Sequence, residues 1–385
     1  MTINKKSIGI AVVMDDLSLN GITTVMLNYC SRLSSDIFDI SILINGKIYE
    51  SCLDAAKSLG INIVVLPNKK ENVFEYYSRL VKVLREGNYA VAHINGSSAT
   101  MALELSAAKI AGIKTRIAHC HSSKCSHPLL NNFLRPFVPL LATNYLACSS
   151  LAGNSLFKPG TFDIMPNAFP IHQFEFDVNV REALRKAYGI PGNAKVLVHV
   201  GRVNTVKNQL FLIDIFNELA AHNDDYWLIL VGDGPLFNEM KTKVDESRFN
   251  TRVLIMGNQQ DPNPFYSASD ALVFPSVYEG LGITVLEAQI NGLPCFVSDA
   301  VPNEAEIGGY LRRMSIDKGA KYWANWIVGE LDQAPSATDR IIPSNSIYYD
   351  IDRCAMLLSS YYKTLIFESN KGNGSSVRFG GQKCL

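Results

Sequence analysis

Two carboxylates eight positions apart, Glu279 and Glu287, stand in the segment PSVYEGLGITVLEAQINGLP at residues 275–294. The apolar run before it reads as a strand ending at Phe274 and Pro275, and the pattern after it as a helix opening near Ile283. A helix N-terminus placed just past the carboxyl end of a strand offers free N–H groups and the positive end of the helix dipole to an anion such as a diphosphate. Glu279 then lies in the loop and Glu287 about one turn into the helix. Carboxylates repel phosphate, so this pair suits a ligand whose phosphates are flanked by hydroxyls, the outline of a nucleotide sugar. The spacing alone serves equally well for a helix-end charge and a solvated helix residue.

Cations recur at a second junction of the same kind. In KVLVHVGRVNTVKNQL, residues 195–210, the apolar run 196–200 signals a buried strand, Gly201 ends it, and a helix continues over about 208–218. Arg202 and Lys207 lie between them and can reach one pyrophosphate, Arg as a planar fork and Lys as a point charge. The plain alternative is two surface cations on a loop. LILVGDGPLFNEM at 228–240 repeats strand, glycine turn and helix.

Other clusters carry less. RIAHCHSSKCSH, residues 116–127, packs His119, Cys120, His121, Cys125 and His127 together and invites a zinc reading. A strand there puts His119 and His121 on one face and Cys120 on the other, which opposes a tetrahedral site. Asp350 and Asp352 form an Asp-x-Asp of the kind that holds a metal under a diphosphate, but they precede a helical pattern and read better as an N-cap and a first-turn acid.

The elements that position these residues repeat in the first half. The strand Ile8–Met14 leads through DDLSLNGIT to a tight turn at Asn20 and Gly21 and a helix from about Thr23. Residues 128–148 are apolar but interrupted by Pro136 and Pro139, which fits a core helix followed by a strand better than a helix resting on a membrane. A chain of 385 residues is long enough for two domains with their own cores. Its 36 Lys and Arg balance 36 Asp and Glu, so nothing global points to nucleic acid. Residues 1–170 nevertheless hold 16 cationic and 11 acidic side chains and the remainder 20 and 25, and a basic first half suits an anionic membrane surface or a phosphate-bearing acceptor as well as it suits chance. The eight cysteines form no C-x-x-C pair, the apolar run after Lys5 and Lys6 is too short for a signal core, and no run approaches a membrane span. These features lead us to expect a cytoplasmic protein, with peripheral contact at the inner membrane face as an option, and a disordered tail over 369–385.

YLACSSLAGNSLF, MPNAF, GRVNTVKNQ, LVGDGPL and SASDALVFPSVYEGLGITVLEAQINGLPCFVSD together resemble glycosyltransferase family 4, in particular its bacterial capsule, exopolysaccharide and O-antigen branch. The resemblance spans about 8–365, is strongest at 195–300 and is weak at 45–115. It implies an α/β protein of GT-B fold, with two Rossmann-like, doubly wound parallel-sheet domains facing across a cleft. Residues 1–168 would form the acceptor-binding domain, joined by a returning helix at about 353–367, and 169–352 the nucleotide-sugar-binding domain. It further implies retaining, metal-independent transfer of a hexose or N-acetylhexosamine from a nucleoside diphosphate sugar, expected to be a UDP-sugar, to a glycan acceptor that is expected to be lipid-linked. No cofactor is implied. Glu287 would hold the ribose, Glu279 the sugar, and the backbone of Gly280, Leu281, Gly282, Ile283 and Thr284 the sugar and β-phosphate. Arg202 and Lys207 would take the leaving charge beside Gly201. From the first domain, Gly21 would approach the phosphate and His121, or alternatively His119, the sugar. The family often has two glycines at the first turn, whereas here Gly21 follows Asn20. Three rivals share parts of this grammar: an epimerase of the same fold, an inactive binding subunit, and a dinucleotide oxidoreductase, whose G-x-G-x-x-G is missing after the first strand.

Overall fold

The computed structural model describes residues 7–18, 21–122, 127–371 and 377–379. The chain divides into one unit of Met1–Pro170 with Tyr348–Leu385 and a second of Ile171–Ile347. Each is built on one parallel sheet.

In the first unit the strands are β1 (Ile8–Met14), β2 (Phe38–Ile44), β3 (Asn62–Val65), β4 (Tyr89–Gly96), β5 (Thr115–Cys120), β6 (Asn144–Ala147) and β7 (Asp163–Ile164), ordered β3-β2-β1-β4-β5-β6-β7. In the second they are β8 (Lys195–Val200), β9 (Tyr226–Val231), β10 (Val253–Gly257), β11 (Ala271–Phe274), β12 (Cys295–Ser298) and β13 (Leu311–Met314), ordered β10-β9-β8-β11-β12-β13. The central strands are near-continuous apolar runs because helices cover both faces of a parallel sheet. Leu197, Val273 and Phe296 pack with Leu212, Phe216 and Leu219 of the helix Gln209–His222 and with Trp323 and Ile327 of the helix Ala320–Leu331. In the first unit Ala92, Ile94 and Ala118 pack with Leu80 and Leu84 of the helix Val73–Glu86 and Leu105 of the helix Ala102–Ile110.

Each sheet has one place where the winding reverses. β1 lies between β2 and β4, and β8 between β9 and β11, so successive connections leave in opposite directions. Crevices open at the carboxyl ends of such strand pairs, where ligands of this architecture bind. The loops following β8 and β11 hold Arg202, Lys207 and Glu279, so the sheet order alone brings together residues more than 70 positions apart.

Several expectations change. The first helix begins at Gly21, not near Thr23: Thr23 is already buried, its Oγ1 donating to the Asp16 carbonyl at 3.2 Å. Asn20 lies outside the described residues. Residues 128–148 do not form a core helix before their strand. The helix Pro128–Leu134 buries none of its residues, and Leu129 and Phe133 are 87% and 69% exposed, whereas Leu146 and Ala147 of β6 are buried. The final helix runs Ile351–Lys371, past Ser369, where the sequence suggested a tail. Arg378 pairs with Asp163, and the Phe379 ring packs edge-on against Tyr361. Residues 372–376 and 380–385 lie outside the described residues. The chain rejoins the first unit at Tyr348, where Phe169 and Tyr349 share a backbone hydrogen bond. Asp350 accepts from the Arg353 N–H at 2.9 Å, capping that helix, and Asp352 pairs with Arg32 at 2.7 Å.

Candidate active site

The second unit's switch point holds a partly buried ion pair. β8 ends at Gly201, and the loop that follows is pinned from three sides. Val203 exchanges backbone bonds with Asp233 and Leu236, Val277 N–H donates to the Val206 carbonyl at 2.8 Å, and the Asn208 amide donates to the Pro275 carbonyl at 3.1 Å. The GDG turn must approach closely: a Cβ on Gly232 would stand 2.0 Å from the Gly201 oxygen and one on Gly234 2.3 Å from the Val203 oxygen. Asn208 accepts a left-handed conformation, φ 59°, to turn the chain into its helix.

This framework aims Lys207 at Glu279. Lys207 Nζ lies 2.7 Å from Glu279 Oε1 and 4.5 Å from the Phe274 ring centroid, with the Glu279 side chain only 8% exposed. The carboxylate in the loop and the cation of the neighbouring loop are thus one unit. Arg202 is exposed and its guanidinium has no ion-pair or hydrogen-bond partner among the described residues, so the two cations expected to act together are held differently. Gly280 and Leu281 lead to Gly282, which sits at φ 84° as the residue before the helix Ile283–Ile290. No side chain caps that helix, so the first-turn N–H groups at Ile283 and Thr284 keep their ligand-binding capacity. Glu287 is not a solvated helix residue. It is partly buried, it accepts from the Tyr266 hydroxyl at 2.8 Å, and desolvation pushes its carboxyl up to about 7 against the opposing effects of Tyr266 and Lys207. A carboxyl raised this far by burial, close to the Lys207–Glu279 pair, makes Glu287 a candidate functional residue.

Two residues here escaped the sequence. Tyr266 is fully buried and orients Glu287, but from sequence it is one aromatic residue in an apolar helix. His199 alternates within β8, stacks on Phe274, donates its Nδ1–H to the Val273 carbonyl oxygen at 2.9 Å, and leaves its buried Nε2 without a partner. Burial lowers it to about 4, so it is neutral at ordinary pH. Its strand position resembles any core residue, and no sequence signal separates it.

The first unit holds His121 and Gly21. His121 Nε2 pairs with Asn95 Oδ1 at 2.9 Å, and its ring centroid is 3.9 Å from that of His119. His119 is fully buried, with Nδ1 3.0 Å from His93 Nε2, and His93 Nδ1 meets the Tyr362 hydroxyl at 2.7 Å. His119 therefore belongs to a core network running to the returning helix, and His121 is the more accessible of the two. Desolvation lowers both, His121 to about 3. Among the described residues no three His, Cys, Asp or Glu side chains converge on a metal position, and Cys125 lies outside them.

Two parallel sheets, each wound about one switch point, form the two Rossmann-like domains of a GT-B architecture, and the second switch point carries the Lys207–Glu279 pair and an uncapped helix end. Residues 180–310 match the family described as glycosyl transferases group 1. It is similar to the putative glycosyltransferase EpsF of Bacillus subtilis, 25% identical over 82% of this chain and 85% of that one. It is likewise similar to the UDP-Gal:alpha-D-GlcNAc-diphosphoundecaprenol alpha-1,3-galactosyltransferase of Escherichia coli, 26% identical over 76% and 81%. The fold is shared with Anabaena HepE, solved in complex with UDP, at a TM-score of 0.78 and 16% identity over 93% of this chain and all of that one.

Proposed function

We propose that the protein transfers a hexose or N-acetylhexosamine from a UDP-sugar to a lipid-linked glycan acceptor, with retention at the anomeric carbon, in the assembly of a bacterial surface polysaccharide. The observation that carries this is the partly buried Lys207–Glu279 pair at the second sheet's switch point, with the Tyr266-held Glu287 in the adjoining helix. The Escherichia coli relative is named for UDP-Gal and a diphosphoundecaprenol-linked acceptor, and the HepE structure holds UDP, which supports the donor and acceptor classes.

In this mechanism Glu287 accepts hydrogen bonds from the ribose hydroxyls. The backbone of Gly280, Leu281, Gly282, Ile283 and Thr284 and the helix dipole hold the sugar and diphosphate, and the unpartnered Arg202 closes on the phosphate charge. The acceptor hydroxyl adds to the anomeric carbon on the face that the leaving group departs. The bond from that carbon to the β-phosphate oxygen breaks, the hydroxyl proton passes to the leaving diphosphate, and the products are a glycoside and UDP. Lys207 neutralises the leaving charge, while Glu279 binds sugar hydroxyls and faces the positive charge developing at the anomeric carbon. Preorganised charge of this kind is often the largest catalytic term. The chain's own cations fill the role a metal would otherwise take.

Purified protein, UDP-hexoses and a lipid-linked N-acetylglucosaminyl diphosphate, in excess EDTA, should yield a new glycoside whose anomeric configuration by NMR matches the donor's. An inverted product, or activity lost to EDTA and restored by Mg²⁺ or Mn²⁺, would contradict the mechanism. Epimerised donor formed without acceptor would identify an epimerase instead.

A further inference from the structure

Two short helices of the second unit share a polar seam. Glu287 and Asn291 stand four positions apart, so they lie on one face of the helix Ile283–Ile290, which Asn291 ends as its C-cap. That face meets the helix Asn263–Ala268. The Tyr266 hydroxyl donates to Glu287 Oε2 at 2.8 Å, and Asn291 Nδ2 lies 3.1 Å from each of Asn263 Oδ1, Ser267 Oγ and the Phe174 carbonyl oxygen.

Arg340 joins the two helices from behind. Its Nη1 donates to Asn291 Oδ1 at 2.8 Å and to the Tyr266 carbonyl at 3.3 Å, its Nη2 donates to the Ser269 carbonyl, and its Cζ lies 4.7 Å from the Phe176 ring centroid. Gly292 makes room for this approach. It sits at φ 74°, and a Cβ there would stand 2.7 Å from Arg340 Cβ and 3.1 Å from the Ile341 nitrogen.

Stability alone does not explain the arrangement. Burial, Arg181 and Arg185 lower Arg340 to about 9, and its buried Nε has no hydrogen-bond partner. Asp270, the carboxylate that acts on it, already holds Arg181 and Arg185 at 2.6 Å, one on each oxygen. Arg340 is thus a partly buried cation whose acceptors are neutral, and burying such a charge is costly. What it supplies in return is a fixed relation between Tyr266 and Asn291, the residues on either side of Glu287.

We propose that Arg340 is a positioning residue: it clamps Tyr266 to Asn291, and through the Tyr266 hydroxyl it sets the Glu287 carboxylate for the ribose hydroxyls of the donor nucleotide. The clamp has this role only if Glu287 is the ribose ligand, as proposed above.

Calorimetric titration of the full chain at pH 8, with UDP and with 2′,3′-dideoxyuridine diphosphate, tests the clamp. Glu287, raised to about 7 by burial and Asp261 against Tyr266 and Lys207, is ionised there. Wild type should bind UDP about tenfold or more tighter than the dideoxy analogue, because the hydrogen bonds concerned are made to a charged group. Arg340→Lys keeps the charge but not the planar fork. This variant and Tyr266→Phe should each erase the preference for UDP while binding the dideoxy analogue as wild type does. If Arg340→Lys does not fold, Gly292→Ala, which displaces Arg340 without removing it, takes its place. A merely structural Arg340 would change the melting temperature and leave the preference whole, or weaken both nucleotides equally. Either result in the Arg340 or Gly292 variant, or a whole preference in Tyr266→Phe, overturns the clamp alone. Wild type that binds UDP without preference sinks the ribose role of Glu287 and the clamp with it, and wild type that binds neither nucleotide sinks the UDP-sugar reading and the clamp together.

Discussion

Glu287→Gln should separate affinity from stability in opposite directions across pH. The wild-type carboxyl sits at about 7 in the folded protein against an ordinary value of 4.5, chiefly through desolvation. Between those values the folded state keeps a proton that the unfolded state releases. Stability contributed by this group is therefore full below pH 4.5, falls as pH rises toward 7, and is level above that. A shift of this size corresponds to roughly 3 kcal/mol as an upper bound. The glutamine variant lacks this loss, so its melting temperature should match wild type at pH 4 and exceed it at pH 8. Donor affinity should run the other way. Only the ionised carboxylate can accept from both ribose hydroxyls, and about one tenth of it is ionised a full unit below its pKa. Wild-type affinity for UDP-glucose should consequently rise about tenfold between pH 6 and pH 8, with proton release on binding at pH 6. The variant should bind weakly and show neither effect. Calorimetry in buffers of different ionisation enthalpy reads affinity and proton release together. Flat wild-type affinity over this range, or the same pH dependence in Glu287→Gln, would refute the assignment.

Lys207→Ala should lower turnover by about a hundredfold or more and destabilise the fold by up to about 3 kcal/mol, because Glu279 is left buried and uncompensated. Adding Glu279→Gln should restore the melting temperature but not the turnover, and recovery of both would reduce the pair to a structural role. His121→Ala should slow transfer while the melting curve stays cooperative. Because His121 is lowered to about 3, its contribution is a neutral hydrogen bond, and the activity profile between pH 5 and 8 should carry no step that this substitution removes. Liposomes containing anionic lipid should retain the protein at low salt through the exposed Leu129, Phe133 and Leu140, and flotation of Leu129→Ser with Leu140→Ser should show the loss.

The fold was legible because parallel strands buried on both faces leave continuous apolar runs such as VLVHV and LILV, each closed by a glycine turn. The placement of the candidate site's loop residues was legible for a related reason: Arg202, Lys207 and Glu279 follow strand ends, where sheet order must gather them. What the sequence concealed was partnership. Nothing in the spacing says that Lys207 meets Glu279 across 72 positions rather than joining Arg202. Tyr266 and His199 were hidden because they sit in apolar patterns where a buried polar group looks like core packing. The segment 128–148 misled because apolar content does not distinguish a buried helix from an exposed one, and here two prolines and a short helix leave its apolar face uncovered.

The most direct measurement is release of UDP from a panel of UDP-hexoses and UDP-N-acetylhexosamines by the purified chain, with wild type and Lys207→Ala in parallel. One donor should be hydrolysed slowly without acceptor and faster with a lipid-linked glycan, and Lys207→Ala should bind UDP yet release almost none. No turnover of any donor, or equal rates in the two proteins, would contradict a transferase whose leaving-group charge is carried by Lys207.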